Sequence, residues 1–408
     1  MCTFGLQKFR CFDDIGKKSP KPRLFGGWTN SSVRNSILKF FPLHKQSLGV
    51  RRNRLMNKKR THRVLVVATS CKTRGGITSV VKAHKQGEQW QRFHCHWVQT
   101  HRDGNVIRKL WYLAVGWCDY LLRLCFYDLV HVHVSTQVSA RRKEPFIYLA
   151  KLLHKKIIVH FHACSAETSY KGKYKNLFRT IFHQADILIV LSKAWESSIK
   201  EEFPDLQNIR VLFNPCTAEI NKKKYEKKKQ IFYAGTVSER KGYADLIKAF
   251  AQIATMHPDW RVVLAGNGEI DKGKAIAKSL GISRQVDFLG WVSGEEKDKA
   301  FKESMIFCLP SYAEGFPMAV LDAWSYGLPV ISTPVGGLPD IARDGENMLL
   351  FTPGDINALA GQLQLMIENV NLRVSISKKS LSLAANEFNC QTIDRQLAEI
   401  YESVLKNK

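Results

Sequence analysis

Ser311-Tyr-Ala-Glu-Gly-Phe-Pro-Met-Ala-Val-Leu-Asp-Ala-Trp-Ser-Tyr-Gly-Leu-Pro-Val-Ile-Ser-Thr-Pro-Val-Gly-Gly-Leu-Pro-Asp340 reads as loop, helix, strand and loop in quick succession. Glu314 sits in the loop, and Pro317 is placed to open the helix, where a first-turn proline needs no N–H. Gly327 ends that helix, and residues 329–333 form a short apolar strand. Glu314 and Asp322 are eight residues apart, about two helical turns, so both carboxylates can lie along one side of the helix mouth. Backbone N–H groups of residues 316–319 point out of the same mouth, which suits anionic or hydroxyl-rich ligands. Two acids and a helix N-terminus on one face suit a polyhydroxylated, phosphate-bearing ligand such as a sugar nucleotide. A Glu and an Asp at this spacing would otherwise be an ordinary surface pair.

Outward from this stretch, apolar runs of strand length alternate with segments of helical length. They fall at 63–68, 93–98, 129–134, 156–161, 187–191 and 209–213, and again at 231–234, 261–265, 286–289, 305–309, 329–333 and 348–351. Such alternation predicts parallel sheets covered on both faces. A basic stretch, Asn221-Lys-Lys-Lys-Tyr-Glu-Lys-Lys-Lys229, interrupts it. The expected architecture is therefore α/β, with two doubly wound, Rossmann-like domains facing each other across a cleft. Ligand crevices belong at the carboxyl ends of the strands. The expected boundaries are 1–60 for a basic extension, 61–215 for the first domain and 216–390 for the second. Residues 391–408 are expected to form a last helix.

At 408 residues and 45% hydrophobic, the chain can bury two substantial cores. Its ten cysteines show no Cys-x-x-Cys pair and no metal-ligand spacing, a pattern suited to isolated thiols in a reducing compartment. No metal site is expected. The apolar segment 110–126 is broken by Asp119 and Arg123, so it reads as an amphipathic or buried helix and not as a membrane span. The N-terminus lacks the apolar core and small-residue cleavage pattern of a secretory signal. A cytoplasmic location follows as the expectation.

Half of the net charge of +26 comes from residues 1–60, where 15 Lys and Arg face only Asp13 and Asp14. Met56 stands just ahead of the first apolar run, so residues 1–55 are expected to come from an upstream start and to be dispensable. The rival reading is a basic membrane-binding or targeting tail. Beside segment 110–126 lie Arg102, Arg108, Lys109, Arg123, Arg141, Arg142 and Lys143, which suggests peripheral attachment to an anionic membrane face. A solvated basic face is the competing reading. Nucleic acid is not an expected partner, because neither aromatic platforms nor a recognised binding motif accompany the charge.

Other chemistry-bearing groups fall at expected strand ends. Gly75 and Gly76 follow the first strand and let the backbone approach a ligand closely, although such a pair alone is commonly a plain turn. His162 lies just beyond the strand 156–161, on the same face as His160. His131 and His133 end another strand and read as scaffold or acceptor-side groups. Arg240 and Lys241 follow the strand 231–234, where a solvated cationic face would be the ordinary reading.

Together these motifs resemble the acid–seven–acid pattern and strand-end loops of the retaining glycosyltransferases of family 4, which have the two-domain GT-B fold. The resemblance runs from Arg63 to the C-terminus. It implies a retaining, hexosyltransferase-type transfer from a UDP- or GDP-type nucleotide diphosphate-sugar to a hydroxyl acceptor, in cell-surface polysaccharide or lipopolysaccharide assembly. The acceptor would be a saccharide or a lipid-linked saccharide. No cofactor is implied beyond the donor co-substrate. Glu314, His162 and Lys241 take catalytic roles: Glu314 at the donor sugar, His162 orienting it and Lys241 on the diphosphate. Gly75, Gly76, Arg240, Gly315, Phe316, Pro317, Met318 and Asp322 take donor-binding roles, with Asp322 on the ribose. The resemblance also implies that the last helix crosses back to the first domain. The chain departs from the family at Asp322, usually Glu, and at Thr236, commonly Arg; Arg240 is the expected partial substitute. The alternatives are a GT-B sugar-nucleotide epimerase, against which the Glu-Gly-Phe-Pro helix argues, and a catalytically weak polyanion- or membrane-binding protein.

Overall fold

The structure is a computed structural model and describes residues 61–217 and 225–406. The expected basic extension, including residues 1–55, and the first part of the basic stretch 221–229 lie outside the described residues. All the described residues belong to one compact unit.

The first sheet comprises β1 (Val64–Ala68), β2 (His96–Gln99), β3 (Leu129–Val134), β4 (Lys156–Phe161), β5 (Ile187–Val190) and β6 (Ile209–Val211). Its order is β2-β1-β3-β4-β5-β6, parallel throughout. Between these strands run α1 (Gly76–Gln86), α2 (Glu88–Arg92), α3 (Val106–Leu124), α4 (Gln137–Leu152) and α5 (Lys175–Gln184), with α6 (Lys193–Glu202) before β6. The second sheet comprises β7 (Gln230–Ala234), β8 (Arg261–Ala265), β9 (Val286–Gly290), β10 (Ile306–Leu309), β11 (Val330–Ser332) and β12 (Leu349–Leu350). It is also parallel, in the order β12-β11-β10-β7-β8-β9. Its helices are α7 (Tyr243–Ile253), α8 (Ile270–Ser279), α9 (Glu295–Glu303), α10 (Met318–Ser325), α11 (Ile356–Glu368) and α12 (Val370–Asn386), followed by α13 (Cys390–Lys406). Two doubly wound α/β domains, as expected, account for the described chain.

Burial on both faces explains why the strands read as unbroken apolar runs. In β1, Leu65 and Val67 enter one core cluster, while Val64, Val66 and Ala68 enter a second cluster on the opposite face. That second cluster is closed by α13, whose Ile393, Leu397, Ile400, Tyr401 and Val404 recur at helical spacing. The end of the chain thus packs on the first sheet. Polar ties reinforce it: His84 Nδ1 lies 2.6 Å from Asp394 Oδ1, and His131 Nδ1 lies 2.7 Å from the Tyr401 hydroxyl.

One strand starts later than its apolar run suggests. The 93–98 run yields a strand only from His96, because Phe93 closes α2 and His94 turns through φ 43°. Phe93 is buried edge-on against Tyr401, with ring centroids 5.2 Å apart. Its apolar character serves the packing of α13, not the sheet.

Candidate functional site

Helix α10 begins at Met318, with Pro317 in extended conformation immediately before it. Pro317 therefore caps the helix instead of forming its first residue. Ahead of it the loop turns Glu314 inward, leaving the residue 5% exposed. Its carboxylate accepts a hydrogen bond of 2.6 Å from Ser311 Oγ and forms an ion pair with Lys241. Burial of this acid is offset by the nearby cation and hydroxyl, as a desolvated carboxylate requires.

Lys241 reaches Glu314 through a local device. It ends a short 3₁₀ turn after β7 and is followed by Gly242 at φ 68°. A Cβ there would collide with the Pro310 carbonyl oxygen, so only glycine lets this turn close against the end of β10. Arg240 in the same turn donates to the Ala313 carbonyl at 2.5 Å and stands 4.0 Å from the second Glu314 oxygen. It braces the Glu314 loop. Thr236 donates nothing to this cluster; its carbonyl accepts from the Tyr233 hydroxyl at 2.7 Å.

Asp322 is 4% exposed on α10 and has its own partners. Thr217 Oγ1 donates to it at 3.0 Å, and Lys297 Nζ at 2.5 Å. The two acids therefore sit in separate polar groups, each with one lysine and one hydroxyl. Ser311, Lys297 and Thr217 were not identified from sequence. Ser311 lies inside the decisive stretch, three residues before Glu314; Lys297 and Thr217 arrive from elsewhere in the chain and carry no local signal.

The Glu314 loop meets the first domain directly. Gly315 approaches Ala163 so closely that a Cβ would lie 2.5 Å from the Ala163 carbonyl oxygen, and its own carbonyl accepts from Trp195 Nε1 at 3.1 Å. Ala163 follows His162, so the sequence-nominated loop and strand end adjoin. A Cβ on Gly76 would stand 3.9 Å from Met318 Cγ, which places the first-domain glycine turn opposite the start of α10. Gly75 holds φ 135°, a conformation open to glycine. Further on, the Arg74 guanidinium lies 5.0 Å from the Trp291 ring centre, and Asp340 accepts from the Lys193 amide at 2.5 Å.

Phe316 is the nominated residue whose side chain the structure withdraws. Its ring is buried among aromatics, 5.3 Å from Phe213 and 6.2 Å from Phe388, because the loop needs an apolar anchor against the core. Only its backbone remains to face a ligand.

His162 is the half-buried end of an otherwise buried imidazole array. His133 pairs with His160 across β3 and β4, and alternation adds His131 and His162 to the same face. Ring centroids are 4.5 Å apart for His131–His133, 4.9 Å for His133–His160 and 4.2 Å for His160–His162. His133 Nδ1 lies 2.9 Å from His162 Nε2. Burial, followed by the Lys143 charge, pushes the His162 pKa down to about 3. Burial likewise holds His131, His133 and His160 well below the usual range. The array is neutral near pH 7. One nitrogen from each of His131, His133 and His160 lies within 4.8 Å of the others, the spacing of a candidate metal site that sequence reading did not foresee. Their ring planes, however, are only 10–31° from parallel, so the in-plane lone pairs run side by side and do not converge tetrahedrally.

Residues 217–382 match the family described as glycosyl transferases group 1. An uncharacterized glycosyltransferase of Haemophilus influenzae is 31% identical over 199 residues, covering 48% of this chain and 55% of its own length. The lipopolysaccharide 1,6-galactosyltransferase of Salmonella typhimurium is 30% identical over 190 residues, covering 45% of this chain and 53% of its own. The chain thus spans about half the length of these curated relatives. Anabaena HepE, solved in complex with UDP and glucose, superposes with a TM-score of 0.69 at 18% identity, covering 84% of this chain and 100% of that one. That degree of identity carries the fold. In its second domain the chain is similar to the group 1 glycosyltransferases, and its described residues adopt the GT-B fold.

Proposed function

We propose that this chain is a retaining glycosyltransferase. It would move a hexose-type sugar from a UDP- or GDP-sugar to a hydroxyl of a saccharide or lipid-linked saccharide, in cell-surface polysaccharide or lipopolysaccharide assembly. One observation carries the reading: the buried Glu314–Lys241–Ser311 cluster lies on the loop that meets the first domain beside His162. A sugar diphosphate in this cleft would present its phosphates to Lys241 and its sugar hydroxyls to Glu314. The pairing with polysaccharide assembly draws on the named activity of the Salmonella relative.

In the proposed step the bond between the anomeric carbon and the diphosphate oxygen breaks, and a bond to the acceptor oxygen forms on the same face. The acceptor proton passes to the departing phosphate oxygen. Lys241 stabilises charge on that leaving group, and Glu314 stabilises positive charge developing near the anomeric carbon. Neutral His162 donates or accepts a hydrogen bond to orient the sugar without adding charge. Asp322, held by Lys297 and Thr217, receives the ribose hydroxyls.

The test is a panel of UDP- and GDP-sugars incubated with the purified chain, reading nucleotide release with and without saccharide acceptors. Product anomeric configuration by NMR then decides retention. Absence of nucleotide release from every donor would overturn the transferase reading; an inverted product would overturn retention alone.

A further inference from the structure

Helix α3 faces the wrong way for a soluble surface. Of its nineteen residues only Gly116, Tyr120 and Leu124 are buried. Gly116 brings the helix against edge strand β2 so closely that a Cβ would stand 2.6 Å from the Gln99 carbonyl oxygen. Trp117 stacks on Phe146 with centroids 4.0 Å apart, completing a narrow seat. The rest of the apolar surface points outward. Val106, Ile107, Leu110, Trp111, Leu122 and Phe126 are each between 60% and 78% exposed. Val138 and Tyr148 of α4, both 63% exposed, stand out from the same domain. A cluster of large apolar side chains on and beside one helix exceeds what an ordinary solvated surface carries.

Exposed cations lie along the same helix. Arg108 and Lys109 are exposed on its first turn, and Arg123 on its last. The acid within the helix is already engaged: Asp119 lies 2.8 Å from His96 Nε2 and 2.6 Å from Arg123 Nε. Lys143, one of the cations grouped with this region from sequence, is fully buried and donates to the His133 carbonyl and to Ser139 Oγ. It does not belong to the surface.

We infer that this face of α3 lies in the interfacial layer of an anionic lipid bilayer. Apolar side chains enter the acyl boundary while Arg108 and Lys109 reach the headgroups. A second copy of the chain would set basic residues against basic residues, so lipid is the better match in charge. The start of α3 is also tied to the cleft. Asp103, two residues before its capping Asn105, accepts from the Arg74 amide at 3.2 Å in the glycine turn. Docking by α3 would therefore hold that turn close to the bilayer. For its purpose, access to a lipid-linked acceptor, the inference rests on the proposed transferase reading; its test does not.

Flotation of the full chain with phosphatidylcholine vesicles, with and without phosphatidylglycerol, tests it in the absence of donor. The wild type should float with the anionic vesicles, less so at high salt. Ile107→Ser/Trp111→Ser/Leu122→Ser should lose at least about tenfold in partition, with an unchanged melting temperature. Arg108→Glu/Lys109→Glu should lose the preference for anionic lipid. The single variant Leu122→Ser serves if the triple variant misfolds, and should weaken flotation measurably. Flotation of the serine variants equal to wild type, or no flotation of the wild type, would overturn the inference. So would a wild-type dimer that the serine variants dissociate while lipid binding stays the same. Loss of donor turnover with normal flotation would count against the transferase reading alone.

Discussion

Glu314 is the residue on which the proposed chemistry turns, and its surroundings make the consequences of changing it specific. Glu314→Gln keeps the side-chain shape and the contact with Ser311 but removes the charge opposed to Lys241. Turnover should fall at least about 100-fold, as for loss of one electrostatic stabiliser, while donor affinity changes little; steady-state kinetics with separate donor titration checks both. Lys241→Ala should weaken donor binding and turnover together, since its phosphate partner is charged before and during reaction. Asp322→Ala should mainly raise the donor KM. Asp322→Glu should preserve turnover, because Lys297 is 36% exposed at its side chain and its flexible ammonium can withdraw from a longer acid. Glu314, Lys241 and Asp322 were all nominated by their local motifs. Their partners were not: Ser311, Lys297 and Thr217 complete the site through three-dimensional contacts that no linear spacing encodes. Phe316, nominated for its backbone amide, anchors the loop with its ring.

At the scale of elements, the strands were legible because a parallel sheet buried on both faces writes each strand as a short, unbroken apolar run. The same rule explains the late start of β2, where a buried phenylalanine outside any strand extended the run. Helix α3 was legible as a helix but not in its orientation. Hydrophobic periodicity says which residues share a stripe; it does not say whether that stripe meets a core or something else. Loop positions are set by glycines whose need appears only in three dimensions. Gly336 holds φ 63°, and a Cβ there would collide with the Glu314 carbonyl oxygen, while the Gly337 amide donates to the Gly315 carbonyl at 2.8 Å. This loop after β11 backs the Glu314 loop. Gly336→Ala should therefore lower kcat by about 10- to 100-fold through misplacement of Glu314, with a small loss of thermal stability. Unchanged kcat in a folded variant would show that the two loops move independently. Gly116→Ala should act on stability instead, lifting α3 off β2 at a cost of about 1–3 kcal/mol, read as a lower urea midpoint.

For the whole molecule, the buried histidines couple the fold to acid. His131, His133 and His160 are each 1% exposed, beneath the α13 helix that closes the first sheet, and burial holds them neutral. In the unfolded chain each would titrate near the ordinary value of 6.5. Above that pH both states carry the same protons at these sites, so the array adds no pH dependence. Below it the unfolded chain binds protons that the folded chain refuses, so stability falls as pH falls. Each of these groups, and His162 with its pKa pushed down to about 3, contributes up to about 1.4 kcal/mol per pH unit, and the four together about 5.5 kcal/mol. That is a large share of a typical stability of about 5–15 kcal/mol. Thermal melts should therefore show a plateau above roughly pH 6.5 and a steep decline towards pH 5. His160→Phe isolates the cause, because neither ring nitrogen of His160 has a partner among the described residues and its removal breaks no hydrogen bond. The variant should lose about a quarter of the acid slope. His162, whose pKa is pushed down to about 3, should add no limb to the rate profile near pH 6.5. Equal melting temperatures at pH 7.5 and 5.5 would mean that the array takes up protons without unfolding, and that α13 is not held over neutral imidazoles.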